Sequence, residues 1–303
     1  MPNWSQVLKE IQTQNATLHN KAVSAADLVR RRYLKNLAKV TGRPTIAYYS
    51  GWLSNPGIPG SDVNDEDKNA FMMAIHKLEK TKGLDLILHT PGGGIAAAES
   101  IVDYLRRIFG KDVRAIVPHL AMSAGTMIAC TCKSIVLAKH SNLGPIDPQI
   151  SGLPAAAVKK ELERALKEIK ADPASLNVWQ YILNKYNPTF IGQCEQAVDW
   201  AQEFVRNNLI DNMFSGEADA KVKASNIVAA LSDIDANKSH SRHIHIDDCI
   251  KLGLKIEKLE DDPRLQDAVL TVHHCYMHSF GISGAAKIVE NHLGVAMMKV
   301  PAR

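Results

Sequence analysis

The chain has 303 residues, 46% of them hydrophobic and 22% charged, with a formal net charge of +4, which is enough for one large domain or two modest ones with a substantial core. The N-terminal MPNWSQVLKEIQTQN has no apolar h-region and no apolar run approaches bilayer length, so secretory and membrane-inserted classes are excluded as readings. Five cysteines, with only Cys130 and Cys132 close together and no second pair to complete a zinc site, read as reduced thiols of a cytoplasmic protein.

Residues 5–40 read as helix in two pieces. The second enters at Ser24-Ala25-Ala26-Asp27 and carries Leu28, Leu34, Leu37 and Val40 on one side. Arg30-Arg31-Arg32, with Lys35 and Lys39, falls on that helix and reads as a solvated face rather than a nucleic-acid surface. Gly42-Arg43-Pro44 stops it, a strand follows over 45–49, and a Gly- and Pro-rich loop runs from Ser50 to Ser61. A helix is predicted over 62–82, with Phe71, Ile75 and Leu78 on one face. Then come a strand at 84–88, the turn HTPGGG at 89–94, and a helix from Ile95 to Phe109. Residues 113–117 form a strand, PHLAMSAG leads into a small-residue helix over about 124–132, and 134–137 is strand again. Strands alternating with helices in this rhythm imply βαβ units and a largely parallel sheet.

Residues 154–171 read as a charged amphipathic helix, and 175–232 as helix-rich without chemical signatures. Residues 256–265 follow the last helix-and-strand unit and leave an apolar tail, 265–303, with His273, His274, His278 and His292. His274 and His278 share a helix face, but no carboxylate lies between them, so core or interface packing is the reading.

A strand that runs into a glycine-rich turn and opens a helix presents bare N–H groups beside a positive helix end, which suits an anion. GGGIAAAE lacks the third spaced glycine of a dinucleotide fingerprint and the Lys-Ser/Thr of a phosphate loop. The remaining chemistry is an oxyanion hole, and it demands a nucleophile. Ser123, in Met122-Ser123-Ala124-Gly125, opens the next helix, and in a parallel sheet both turns emerge at the same carboxyl edge.

The pair HTPGGG and AMSAGTMIA, followed by Leu143-Gly144-Pro145-Ile146-Asp147-Pro148-Gln149, resembles the serine dehydrogenase proteinase family over roughly residues 25–260. These are soluble or membrane-tethered relatives of signal peptide peptidases within the Clp protease and crotonase superfamily. The resemblance implies Ser123 as nucleophile and an oxyanion hole at Gly93, Gly94 and the Ser123–Ala124 backbone. Signal-peptide-peptidase relatives use a lysine as base, whereas Clp-type relatives use a histidine oriented by an aspartate. No histidine stands where the Clp pattern has one, and Asp147 occupies that neighbourhood. Ser239-His240 matches a Thr-His pair of the family, with Ser241 where an aspartate commonly follows. The resulting assignment is His240 as base, with Asp147 orienting it or lining the pocket. His243, Lys159 and Lys160 are the alternatives for the base, with His140 a minor one, and His89 supports the turn from beneath.

The expected fold is therefore α/β of the Clp protease/crotonase type, a parallel sheet of repeated ββα units. N-terminal helices occupy 1–40 and the protease domain 41–265, with a helical insertion at about 154–232. Residues 266–303 form an extension expected at an oligomer interface. The expected activity is peptide-bond hydrolysis through an acyl-enzyme, by a cytoplasmic homo-oligomer acting on a peptide or protein. No metal, organic cofactor, nucleic acid or stable membrane insertion is called for. The alternatives are a crotonase-like acyl-CoA enzyme, which uses similar paired amides, and an inactive protease-like scaffold.

Overall fold

LDLILH, the stretch that feeds the glycine turn, is buried at all six positions because it lies in a sheet covered on both faces. The computed structural model describes residues 3–18 and 24–301. Its first half comprises α1 (Trp4–Thr17), α2 (Ala25–Thr41), β1 (Thr45–Ser50), α3 (Glu66–Ile75), β2 (Leu84–His89), α4 (Ile95–Phe109), β3 (Val113–Val117), β4 (Leu120–Ala121), α5 (Ala124–Cys130), β5 (Ser134–Leu137) and β6 (Asn142–Leu143). There follow β7 (Gln149–Ile150), β8 (Leu153–Pro154), α6 (Ala155–Ala171), α7 (Leu176–Leu183), α8 (Phe190–Asn208), α9 (Ala220–Ser232), α10 (Ile234–Asn237), β9 (Ile244–His245), α11 (Ile246–Lys251), β10 (Ile256–Lys258), α12 (Pro263–Ser283), β11 (Lys287–Asn291) and β12 (Ala296–Lys299).

Seven strands form the main sheet in the order β10-β5-β3-β2-β1-β11-β12. β10 through β1 run parallel, and β11 and β12 close the far side antiparallel. The period-two alternation of strands sorts their side chains between two layers. Ile46, Tyr48, Leu84, Leu86 and Leu88 face a core built with α3, α4, α5, α8 and α9. Ala47, Tyr49, Ile87, Ile116 and Val136 face α2 and α12. Each fully buried leucine or isoleucine here contributes about 1.5–3 kcal/mol relative to an exposed one. The parallel, doubly covered α/β sheet matches the expected fold class.

Helix ends follow their local chemistry. Gly42 ends α2 in the left-handed conformation, and α12 starts on Asp262, whose side chain accepts from Arg264 and Leu265 N–H, with Pro263 in its first turn.

Three expectations change. The helix predicted over 62–82 is confined to α3, because Val63 pairs with Gly93 and Lys77 adopts a left-handed φ of 65° that ends the helix. Phe71, Ile75 and Leu78 are buried all the same. The basic cluster is a solvated face only in part: Arg32, Lys35 and Lys39 are exposed, but Arg30 is not. Arg30 is fully buried on Glu290 and Asp27, Arg31 also bonds Glu290, and Arg32 pairs with Glu10. On α2 the buried stripe runs through Val29, Arg30, Leu34 and Leu37, leaving Leu28 and Val40 exposed. Finally, the segment set apart as 266–303 supplies most of α12, which packs on α2, and the strand β11 beside β1. The two-piece helix expected over 5–40 includes residues 19–23, which lie outside the described residues.

Candidate active site

The two βα turns meet through backbone hydrogen bonds. Thr90 N–H donates to Leu120 O and Met122 N–H donates to Thr90 O, both at 3.0 Å, so the end of β2 lies against β4. The contact is too close for side chains. A Cβ on Gly92 would stand 2.6 Å from Ser123 Cβ and 2.6 Å from Met122 O, and Gly92 has a φ of 96° besides. That closeness is the physical answer to why β2 runs into glycines.

Ser123 sits between β4 and α5 with φ 50° and ψ −117°, an uncommon conformation for a residue with a side chain. It precedes the helix, yet its hydroxyl makes no capping bond to α5. The tight strand-to-helix turn instead raises the hydroxyl at the sheet edge, as in a nucleophile elbow.

The glycine turn is fixed by a parallel pairing with Val63. Val63 N–H donates to Gly92 O and Gly94 N–H donates to Val63 O, each at 2.8 Å. Gly92 N–H donates to Thr90 Oγ1, and Gly125 N–H to Met122 O. These bonds engage the amides of Gly92 and Gly94 on either side of Gly93, and that of Gly125 after Ala124, and leave the Gly93 and Ala124 amides outside the turn network among the described residues. Gly94 is thereby corrected as an oxyanion donor, since its N–H is held by Val63.

The LGPIDPQ string carries the carboxylate. Thr126 Oγ1 donates to Ala121 O and accepts Gly144 N–H, which ties α5 to this segment, and Ile146 N–H donates to Leu231 O. Asp147 ends up 5% exposed, with Oδ2 accepting from Gln149 and Oδ1 2.9 Å from Nδ1 of His240. A buried carboxylate accepts only, so it holds the proton on Nδ1 and leaves Nε2 as the basic nitrogen. His240 is 27% exposed and lines, together with Ser123, Gly93, Ile95, Met127 and Trp200, a cavity of about 580 Å³.

The alternative bases are placed elsewhere. Lys160 pairs with Asp235 on the surface of the helical insertion, Lys159 does not line the cavity, and His243 and His140 are exposed outside it. His89 lies beneath the turn, as expected. Its ring packs against Trp52 at 4.5 Å, His273 at 5.2 Å and His119 at 5.6 Å, and its Nδ1 accepts Leu120 N–H at 3.4 Å. Burial, reinforced by those two histidines, pushes its pKa well below the usual imidazole range. His274 and His278 pack on Trp4 of α1. Sequence reasoning missed Val63 and Asp62, which sit inside what reads as the start of a helix.

The profile of the ClpP-like SDH-type serine proteinases matches residues 26–263, which includes both turns, LGPIDPQ and His240. The chain belongs to that family. Two uncharacterized proteins of Methanocaldococcus jannaschii are similar to this ClpP-like chain, one 32% identical over 71% of this chain and 65% of its own length. The other is 35% identical over 43% of this chain and 45% of its own length. The chain thus spans less than two thirds of the length of either relative. No helix among the described residues is long and apolar enough to cross a membrane.

Proposed function

We infer that this ClpP-like chain is a serine peptidase that cleaves peptide bonds through an acyl-enzyme. The observation that carries the reading is that Ser123, free of capping duty on a strained turn, shares one cavity with His240, whose imidazole is bonded to buried Asp147. Ser123 Oγ attacks the scissile carbonyl while His240 Nε2 takes its proton and later returns it to the leaving amine. The Gly93 and Ala124 amides hold the developing oxyanion, an interaction worth about 3–4 kcal/mol per donor. Asp147, on a segment remote in sequence, takes the orienting role, so Ser241 in place of the family's aspartate removes nothing the relay needs.

The substrate is a peptide or protein, and the setting is a reducing cytoplasm, which fits five cysteines that are all free and buried. Self-association is part of the reading, supported by exposed Ile282, Leu293 and Val300 in the C-terminal segment.

A fluorophosphonate probe tests the assignment. Wild type labels at Ser123, Ser123→Ala does not label, and His240→Ala labels at least about a hundredfold more slowly. Absence of labelling in wild type overturns the reading in favour of a scaffold, and a calorimetric acyl-CoA titration that saturates would point to the crotonase-like alternative.

A further inference from the structure

Lys287 is a charged side chain at the start of β11 that is only 3% exposed and plays no part in the chemistry above. Its ammonium donates to the Asp62 carbonyl and to Asp67 Oδ1, both at 2.6 Å. The other carboxylate oxygen of Asp67 accepts the Tyr48 hydroxyl at 2.7 Å and Asn64 N–H at 3.0 Å. The Lys287–Asp67 pair therefore grips the backbone on both sides of Val63, by the carbonyl of residue 62 and the amide of residue 64. Val63 in turn uses its own N–H and C=O to hold Gly92 and Gly94, the two neighbours of Gly93. The backbone contact is so close that a Cβ on Gly93 would stand 2.3 Å from Val63 N.

Resting on the peptidase reading, we propose that Lys287 is a positioning residue for the oxyanion hole, acting through Asp67, the 62–64 segment and Val63 to fix the Gly93 amide. A buried ion pair is weak evidence of stabilisation, because desolvation offsets most of the attraction. What this one supplies is direction. The Lys287 ammonium and the Asp67 carboxylate converge on a three-residue segment with no helix or long strand to hold it, at the place where that segment pairs with the glycine turn. A preorganised amide needs such support, since a donor displaced by a fraction of an ångström loses much of its effect. The C-terminal strand is thus wired into the site that Ser123 faces, although none of its residues lines the cavity.

The test is the double variant Lys287→Met/Asp67→Asn, which removes both buried charges together and leaves no unpaired ion. Two readouts are taken on the full chain: labelling of Ser123 with peptide turnover, and amide exchange over peptides containing Val63 and Gly94. The expected result is a labelling rate and kcat lower by about tenfold or more with KM within about twofold, because the oxyanion exists only in the transition state. Exchange at Val63 and Gly94 rises about tenfold while β3 and β5 keep their protection. Tyr48→Phe, which leaves the ion pair intact, gives the same pattern at about threefold and serves if the double variant does not fold. Wild-type labelling in a folded variant overturns the proposal, whether or not exchange rises, and so does slowed labelling with unchanged exchange. Should wild type itself not label, the peptidase reading fails, and unchanged exchange at Val63 and Gly94 would overturn the Lys287 linkage separately.

Discussion

The hydrogen bond between Asp147 and His240 decides which imidazole nitrogen is basic, and a single oxygen-to-nitrogen exchange separates its electrostatic from its spatial role. In Asp147→Asn the amide fits the same space but no longer stabilises an imidazolium, and it lets the proton settle on Nε2. Labelling and kcat are expected to fall on the order of a thousandfold with the thermal midpoint shifted by only a few degrees. A rate within a few-fold of wild type would remove Asp147 from the relay. Beneath the turn the histidines make a different prediction. Burial, aided by His119 and His274, pushes His273 down to about 3, whereas an unfolded histidine titrates near 6.5. Above about pH 6.5 both states are neutral there, and the residue adds nothing to the pH dependence. Below that value the unfolded chain binds a proton that the native chain refuses, so stability falls as the pH drops, by up to about 1.4 kcal/mol per unit. His273→Gln should make the urea-derived stability shallower by about that slope between roughly pH 5.5 and 4. Parallel curves for the two proteins would show that His273 takes up its proton in the native state.

At the scale of elements, the site is the meeting of the β2 and β4 turns, and Gly92 is where they touch. Gly92→Ala adds a methyl that must clear Met122 O and Ser123 Cβ at 2.6 Å, at a positive φ. The serine turn has to move, so labelling should fall by about a hundredfold or more for a destabilisation of about 1–3 kcal/mol, measured by labelling rate and urea unfolding. Labelling at the wild-type rate would mean that the turns do not meet in solution. This contact was legible in the sequence, because a glycine run after an apolar strand and a serine before a helix fall in successive βα units. The carboxylate was legible through LGPIDPQ, and His240 through its Ser-His context. The support was not. Val63 looks like helix by its neighbours, while its segment is held by Asp67 a few residues on and by Lys287 far along the chain, a partner that local pattern does not announce. The same holds for Arg30, whose burial depends on Glu290 in β11, a partner that helical periodicity cannot announce. Gly94 was read as a donor because sequence shows that an amide lacks a side chain, not that another backbone has claimed it.

For the whole molecule, the question is whether residues beyond 284 are an appendage or part of the fold. β11 pairs antiparallel with β1 from Ile46 to Ser50, and all five residues of β11 are buried. Ile288 and Val289 fill opposite layers, and Glu290 takes Arg30, Arg31 and the Tyr276 hydroxyl. Removing this strand exposes the edge of β1, leaves Arg30 buried with only Asp27 opposite, and withdraws Lys287 from Asp67. Breaking the buried Arg30–Glu290 pair by removing one partner alone costs about 3–5 kcal/mol, a large fraction of a domain's stability of about 5–15 kcal/mol. A chain ended after Gly284 is therefore expected to lose cooperative unfolding and soluble yield, and with them Ser123 labelling, even though Ser123, His240, Asp147 and the glycine turn are retained. Circular dichroism melts and labelling of the soluble fraction measure this. A soluble 1–284 chain that melts cooperatively and labels would show that the parallel strands β10 to β1 fold and act without their antiparallel flank.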